Sequence, residues 1–358
     1  QGDLLKCTMS GIPIWHSEFH GCPLRDAPEQ ETNLMNDFNR RSLIKAAGAS
    51  AALFALKPLT GLSEPARAAE SKVDPLPMQL YKGLRDEQKQ KICLPVDHKS
   101  RQFISNWWYV HKEHRITDTF DTEQQELIQK IFDSLHRPEF QATVNKQVEI
   151  DQYGAAKNAP SVGFFGTPAD DNFEFIYTGH HVTRRCNAHS DTGLGFGGAP
   201  IFYGHFPDKF NETKDHPGNP YWYQGKLFNE FVQALSGKQQ ELGLVSNKPR
   251  SEKPDAVIRK NNSRGPGLNC AELSKDQQTL LTETMRKMMS IFREDDVAAT
   301  IAAIESRSVL DRLHVSWFDG KYDIGSDKVW DTWQIEGPEM VWYFRGQPHI
   351  HSYFHLKS

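Results

Sequence analysis

Apolar residues recur along this chain at helical spacing in some stretches and at strand spacing in others. Leu127, Ile131 and Leu135 stand four apart beside Ile128 and Phe132, one apolar stripe that predicts a helix from about Thr122 to Leu135. Thr122 can cap its start, with Gln125 three residues on in capping-box register. A similar start at Ser274 and Gln277 opens a helix to about Arg293. Shorter helices are expected over 86–92 and 226–235, the second stopped by Gly237. This is repeated capping chemistry rather than internal duplication.

Between the helices lie β-rich segments at 162–165, 173–183, 201–203 and 314–318. The last third alternates three such segments, 329–335, 340–344 and 349–354, with the turn sequences Glu336-Gly337-Pro338 and Arg345-Gly346-Gln347-Pro348. That order predicts an antiparallel meander at the C-terminus. The polar stretch 244–266 reads as an exposed excursion. Together these elements predict an α+β fold: a single domain with antiparallel sheet, a C-terminal β-meander and several packed amphipathic helices.

The first 68 residues read differently. Arg40-Arg41, the short apolar run 46–56 and Ala66-Arg67-Ala68 follow one another in the order of a twin-arginine export signal. The expected organisation is therefore an upstream extension over 1–34, outside the native fold, a signal peptide over 35–68, and the folded domain over 69–358. The twin-arginine translocase is the implied partner, and the periplasm or exterior of a bacterium the implied destination. That route carries proteins already folded, which favours a cofactor loaded before export.

Composition narrows the function. The net charge is −4 with no Lys/Arg block, which excludes a strongly basic nucleic-acid binder. No apolar run reaches the roughly 18–20 residues of a membrane span. Removal of the signal leaves Cys93, Cys186 and Cys270, too few for a disulfide scaffold and enough for one disulfide. Histidine is abundant, at 15 residues.

The strongest chemical constellation is His349-Ile350-His351-Ser352-Tyr353-Phe354-His355. On a strand His349, His351, Tyr353 and His355 share one face, and imidazoles two residues apart stand roughly 6–7 Å from each other, close enough to chelate one ion. A polar strand face that simply packs is the plainer reading. His180-His181 follows a β-rich run, and strand parity allows only one of the pair to join such a cluster. The glycine-rich run 193–200 is not a dinucleotide loop, because Pro200 and a β-rich Ile201-Phe202-Tyr203 follow where a helix is needed, so no nucleotide cofactor is expected. Asp215-His216-Pro217 is a turn. Trp107-Trp108 and Tyr221-Trp222-Tyr223 are either sugar-stacking platforms or core aromatics. Cys186, after Arg184-Arg185, reads as a packed thiol. No nucleophile elbow, His-Glu-x-x-His helix or Walker loop is present.

Phe164-Phe165-Gly166-Thr167-Pro168, Thr178-Gly179-His180-His181, the stretch from Phe196 to His205, Trp333-Gln334-Ile335-Glu336-Gly337-Pro338 and His349-Ile350-His351 together resemble the domain-of-unknown-function 3500 family. The likeness runs from about Leu84 to Phe354 and is nearest to exported members of planctomycete-type bacteria. Where many members carry an acid after the Gly-Pro turn and Arg-Asp after His-x-His, this chain has Tyr343 and His355-Leu356. The resemblance implies membership and leaves activity unassigned.

The reading that follows is an exported protein in which His181, His349 and His351 contribute to one site for a transition metal ion (copper, iron or zinc), serving redox or hydrolytic chemistry or structure. His180, His205, Tyr343 and His355 are possible additional members. The alternatives are a non-catalytic extracytoplasmic protein that binds a glycan or small molecule, and a hydrolase that works without metal.

Overall fold

A computed structural model describes residues 74–153, 156–189, 195–205, 219–246, 249, 265–319, 329–346 and 349–357. The signal residues Arg40, Arg41, Ala66 and Ala68, the turn at His216, most of 244–266 and Gln347-Pro348 lie outside the described residues.

The strands are β1 (Cys93–Leu94), β2 (Ser161–Phe165), β3 (Glu174–Gly179), β4 (Val182–Asn187), β5 (Ile201–Gly204), β6 (Leu268–Asn269), β7 (His314–Trp317), β8 (Thr332–Glu336), β9 (Met340–Arg345) and β10 (His351–Leu356). They form one sheet in the order β1-β2-β3-β4-β5-β10-β9-β8-β7-β6. Only β1 and β2 pair in parallel. The C-terminal meander β8-β9-β10 is present, and the fold is α+β. Both faces of its central strands are buried, so β3, β4 and β9 do not alternate between apolar and polar residues, and β4 buries the charged pair Arg184-Arg185.

The two ends of this order mirror each other. In the first half, after the short helices α1 (Leu76–Gly83), α2 (Asp86–Ile92) and α3 (Ile116–Thr119), helices α4 (Thr122–Ser134) and α5 (Pro138–Asp151) precede the meander β2–β5. In the second, α8 (Lys275–Met288) and α9 (Glu294–Ser306) precede β7–β10. The last strands of the halves, β5 and β10, pair antiparallel at the seam, with His351 opposite Gly204. The interhelical turns also pair reciprocally: Arg137 N donates to Ile291 O at 3.2 Å and Arg293 N to Leu135 O at 3.0 Å. The shared capping pattern thus accompanies a repeated architecture, which the reading of capping chemistry alone did not foresee.

Several boundaries differ from expectation for identifiable reasons. The cap of α4 is Asp121 with Gln124, one residue earlier than Thr122 with Gln125, because a carboxylate accepts from the N3 amide more strongly than a hydroxyl. The expected helix to Arg293 ends at Met288, and the chain turns before α9. Gly237 starts α7 (Gly237–Gly243) rather than stopping α6 (Trp222–Gln233), since Ser236 caps it. The segment 173–183 is two strands, folded back at His180-His181. Tyr221 and Trp222 are buried in the main core and Tyr223 donates to Met288 O, so this triplet packs the core. Among the described residues Cys93, Cys186 and Cys270 form no disulfide, and Cys186 is buried as expected.

Candidate metal centre

The hairpin between β3 and β4 pairs Gly179 with Val182, which leaves His180-His181 as a two-residue turn. His181 has φ 53°, the left-handed region where glycine or asparagine would be cheaper. The turn is held there by a second segment: His181 N donates to Asn106 O at 2.7 Å, and Trp107 bridges His180. At the other side of the sheet's seam, β10 begins at His351, and His205, just past β5, donates its N–H to Ile350 O at 3.1 Å. The seam therefore carries His349 and His351 to the β3–β4 turn.

Three Nε2 atoms meet there. His181 and His351 are 2.9 Å apart, His349 and His351 2.9 Å, and His181 and His349 3.3 Å. His181 and His351 are buried and His349 half-buried. Each ring offers one nitrogen to a common point, and the three can hold a metal ion.

The tautomers follow from the outer contacts. Asp151, the last residue of α5, accepts from His181 Nδ1 at Oδ1 (3.2 Å), so the ring proton sits on Nδ1 and the Nε2 lone pair faces the other histidines. Gln147 Nε2 donates to Asp151 Oδ2 at 3.0 Å, and its Oε1 accepts from His205 Nδ1 at 2.7 Å. On the far side, Arg345 approaches His351 Nδ1 at 2.5 Å. A guanidinium only donates, which places the His351 proton on Nε2, where it bridges toward His181 or His349.

Burial disfavours the charged form of His181 and His349. Desolvation, reinforced by the charge of His351 and its neighbours, pushes His181 well below the ordinary histidine range. Desolvation and then His351 and Arg345 lower His349 to about 3, and desolvation lowers His180 to about 4. A neutral imidazole is the form that ligates metal.

The remaining candidates take other places. His180 lies against His181 with ring centroids 3.8 Å apart, stacks on Trp107 at 4.4 Å and contacts Asp151 O through Nδ1 at 3.2 Å. Asp151, His180 and His181 form a second close group. His205 belongs to the hydrogen-bond chain behind the site through Gln147. Tyr343 stacks on Tyr353 at 5.1 Å, across the β9–β10 pair. His355 sits four residues along β10, where desolvation and then Arg185 lower it to about 3. Strand parity placed it on the face of His351, but about 13 Å of strand separates them. Sequence reasoning missed Asp151, Gln147 and Arg345. Asp151 closes a helix whose start is signalled by Pro138 in its first turn and whose stripe by Val144 and Val148.

The family described as "Protein of unknown function (DUF3500)" matches residues 67–357. The chain belongs to that family. Neither a curated protein nor a solved structure matches it. Family membership assigns the histidine cluster no activity.

Proposed function

We propose that the chain is an exported metalloprotein in which His181, His349 and His351 bind one transition metal ion of the copper, iron or zinc type. The observation that carries this reading is the triangle of Nε2 atoms at 2.9, 2.9 and 3.3 Å. His181, His349 and His351 would hold such an ion through these nitrogens. Three imidazoles are fewer than the four or more ligands such an ion takes, so at least one position would be left for a water or a substrate atom. Such an ion supplies Lewis-acid or redox chemistry at that position.

The protein's own groups suit this role. Asp151 holds His181 in the ligating tautomer, the carboxylate–histidine arrangement that orients metal ligands in general. While Arg345 donates to His351 Nδ1, His351 Nε2 would serve as a ligand only by giving up its proton, and the Arg345 guanidinium would offset the charge left on the ring. The rival reading is a metal-free cluster in which that proton bridges the rings.

Metal analysis of protein purified without chelator or polyhistidine tag separates the two. One ion per chain, lost in the His349→Ala, His351→Ala double variant, supports the metal site; an absence of metal, or equal metal in that variant, rejects it. Export rests on Arg40-Arg41 and is tested by replacing both with lysine, which should retain the precursor in the cytoplasm. Normal export of the lysine variant would remove that part of the proposal.

A further inference from the structure

Trp107, which stacks on His180, also lines a cavity of about 920 Å³ together with Lys99, Ser100, Phe103, Tyr109 and Lys112, among others. This is near the upper end of the roughly 300–1,000 Å³ typical of small-ligand sites. Its wall is aromatic. Trp107 is 47% exposed, and its indole N–H donates to Tyr109 Oη at 2.9 Å, which fixes the two rings relative to each other. Arg115 covers the Tyr109 ring at 3.3 Å. An exposed tryptophan held by a hydrogen bond to a neighbour's hydroxyl costs little further ordering when a ligand stacks on it.

The wall's charge is lopsided. Lys99, Lys112 and Arg115 face one acid, Glu113. Among the described residues neither Lys99 nor Lys112 has an ion-pair or hydrogen-bond partner, and Arg115 binds only the carbonyls of Lys157 and His111. In a protein whose net charge is −4, three cations gathered around the exposed Trp107 and the half-buried Tyr109 favour an anionic ligand with flat apolar faces.

We propose that this cavity is a subsite for an acidic oligosaccharide, a short chain of hexuronate units. The C–H faces of the sugar rings lie on Trp107 and Tyr109, whose ring faces carry negative potential that attracts them. The carboxylates pair with Lys99 and Lys112, and Ser100 and Glu113 serve sugar hydroxyls. A single aromatic acid would leave most of the volume empty, whereas two or three sugar rings fill it. Because Trp107 also stacks on His180, and His180 on His181, a chain anchored here reaches toward the histidine cluster. The subsite does not depend on a metal being bound there.

Isothermal titration of the mature protein with trigalacturonate and trimannuronate, against the neutral galactotriose and mannotriose, tests it. Binding of at least one uronate trimer, at least about tenfold tighter than its neutral counterpart and weakened by added salt, is expected. Trp107→Ala should weaken it about tenfold or more. Lys99→Glu with Lys112→Glu, both on exposed side chains, should do the same without touching the fold. The His349→Ala variant should bind the trimer as well as the parent does, so failure of the metal reading leaves this result intact. No binding of either trimer, equal binding of the neutral sugars, or binding indifferent to the lysine pair would overturn the proposal.

Discussion

Asp151 Oδ1 accepts from His181 Nδ1, and this one contact decides which nitrogen of His181 faces His349 and His351. The pair joins the end of a helix to a hairpin turn, and neither residue's chemistry is complete alone. Replacing Asp151 with Leu should therefore free His181 to take either tautomer and weaken metal binding about 10–100-fold, the usual effect of losing such a partner. Asp151→Asn, which keeps an acceptor but loses the charge, should weaken it less. Competition titration with a chromophoric chelator measures both. Equal affinity for parent and Leu variant would contradict the orienting role.

The three histidines should behave as one unit. Each single change to Ala should remove most of the bound ion, and the His349→Ala, His351→Ala double change should add little, because a site lacking one ligand has already lost its geometry. If the rings only pack, each change costs its own small stability, typically below about 2 kcal/mol, with no change in metal content. Metal analysis beside thermal unfolding distinguishes these patterns.

Arg345 gives a sharper prediction, since its contact to His351 Nδ1 puts the ring proton on the nitrogen that an ion needs. Arg345→Gln can present an amide oxygen to Nδ1 instead, which moves that proton away from Nε2. It also removes a positive charge beside the cation. We expect tighter metal binding and release of about one proton fewer on loading. Calorimetry in buffers of different ionisation enthalpy counts that proton, and a variant that binds more weakly would overturn the assignment.

How far the sequence revealed this site depends on which residues act locally. The spacing of His349 and His351 is a local property, and alternation alone predicted their common direction, although the strand expected from 349 begins only at His351. Parity also required that only one of His180 and His181 join them. What parity could not supply was the turn between β3 and β4, because Phe173–Thr183 carries β-forming residues on both sides of it and no Gly or Asn at the left-handed position. His181 occupies that position at a cost, held by the Asn106 carbonyl from 75 positions upstream. Asp151 and Arg345 were illegible because an isolated acid or arginine carries no period. His355 was plausible from parity, and about 13 Å of strand separates it from His351; Tyr343 entered through the family resemblance and stacks on Tyr353.

Acid should destabilise the fold well before carboxylates protonate. His136 is buried, with Nδ1 donating to Phe132 O at 2.9 Å and Nε2 accepting from Arg184 Nε at 2.9 Å. Desolvation and then the Arg184 charge hold it well below the ordinary value of 6.5. His355 is lowered to about 3 by desolvation and then Arg185, and His111 to about 4 by desolvation. In each case the unfolded chain takes up the proton near 6.5 and the folded chain does not. Their contributions are complete above that pH and shrink as pH falls toward the folded values, by at most about 1.4 kcal/mol per unit per group. Denaturant midpoints should fall steeply from pH 6.5 to 4.5. His136→Gln, which can keep both contacts, should make that slope shallower, and an unchanged slope would exclude His136 as a source.

Gly204 offers the last test, because it links the seam of the sheet to the histidine site. It pairs with His351 across β5 and β10. A Cβ added there would stand 2.6 Å from Ile350 O and 3.3 Å from the His181 ring. The first contact is with backbone and cannot be relieved by a rotamer, so the strand ahead of β10 has to move. The second presses on the ring whose Nε2 completes the triangle. Gly204→Ala should therefore cost about 1–3 kcal/mol of stability and lose metal as well, although alanine suits a strand better than glycine does. Gly237, at the start of α7, is the control, since a Cβ there meets nothing within 4 Å. Gly237→Ala should be neutral or stabilise by about 0.4–1 kcal/mol with metal content unchanged. If both variants keep their metal and unfold alike, the close approach of β5 to the histidines is not what holds the site together.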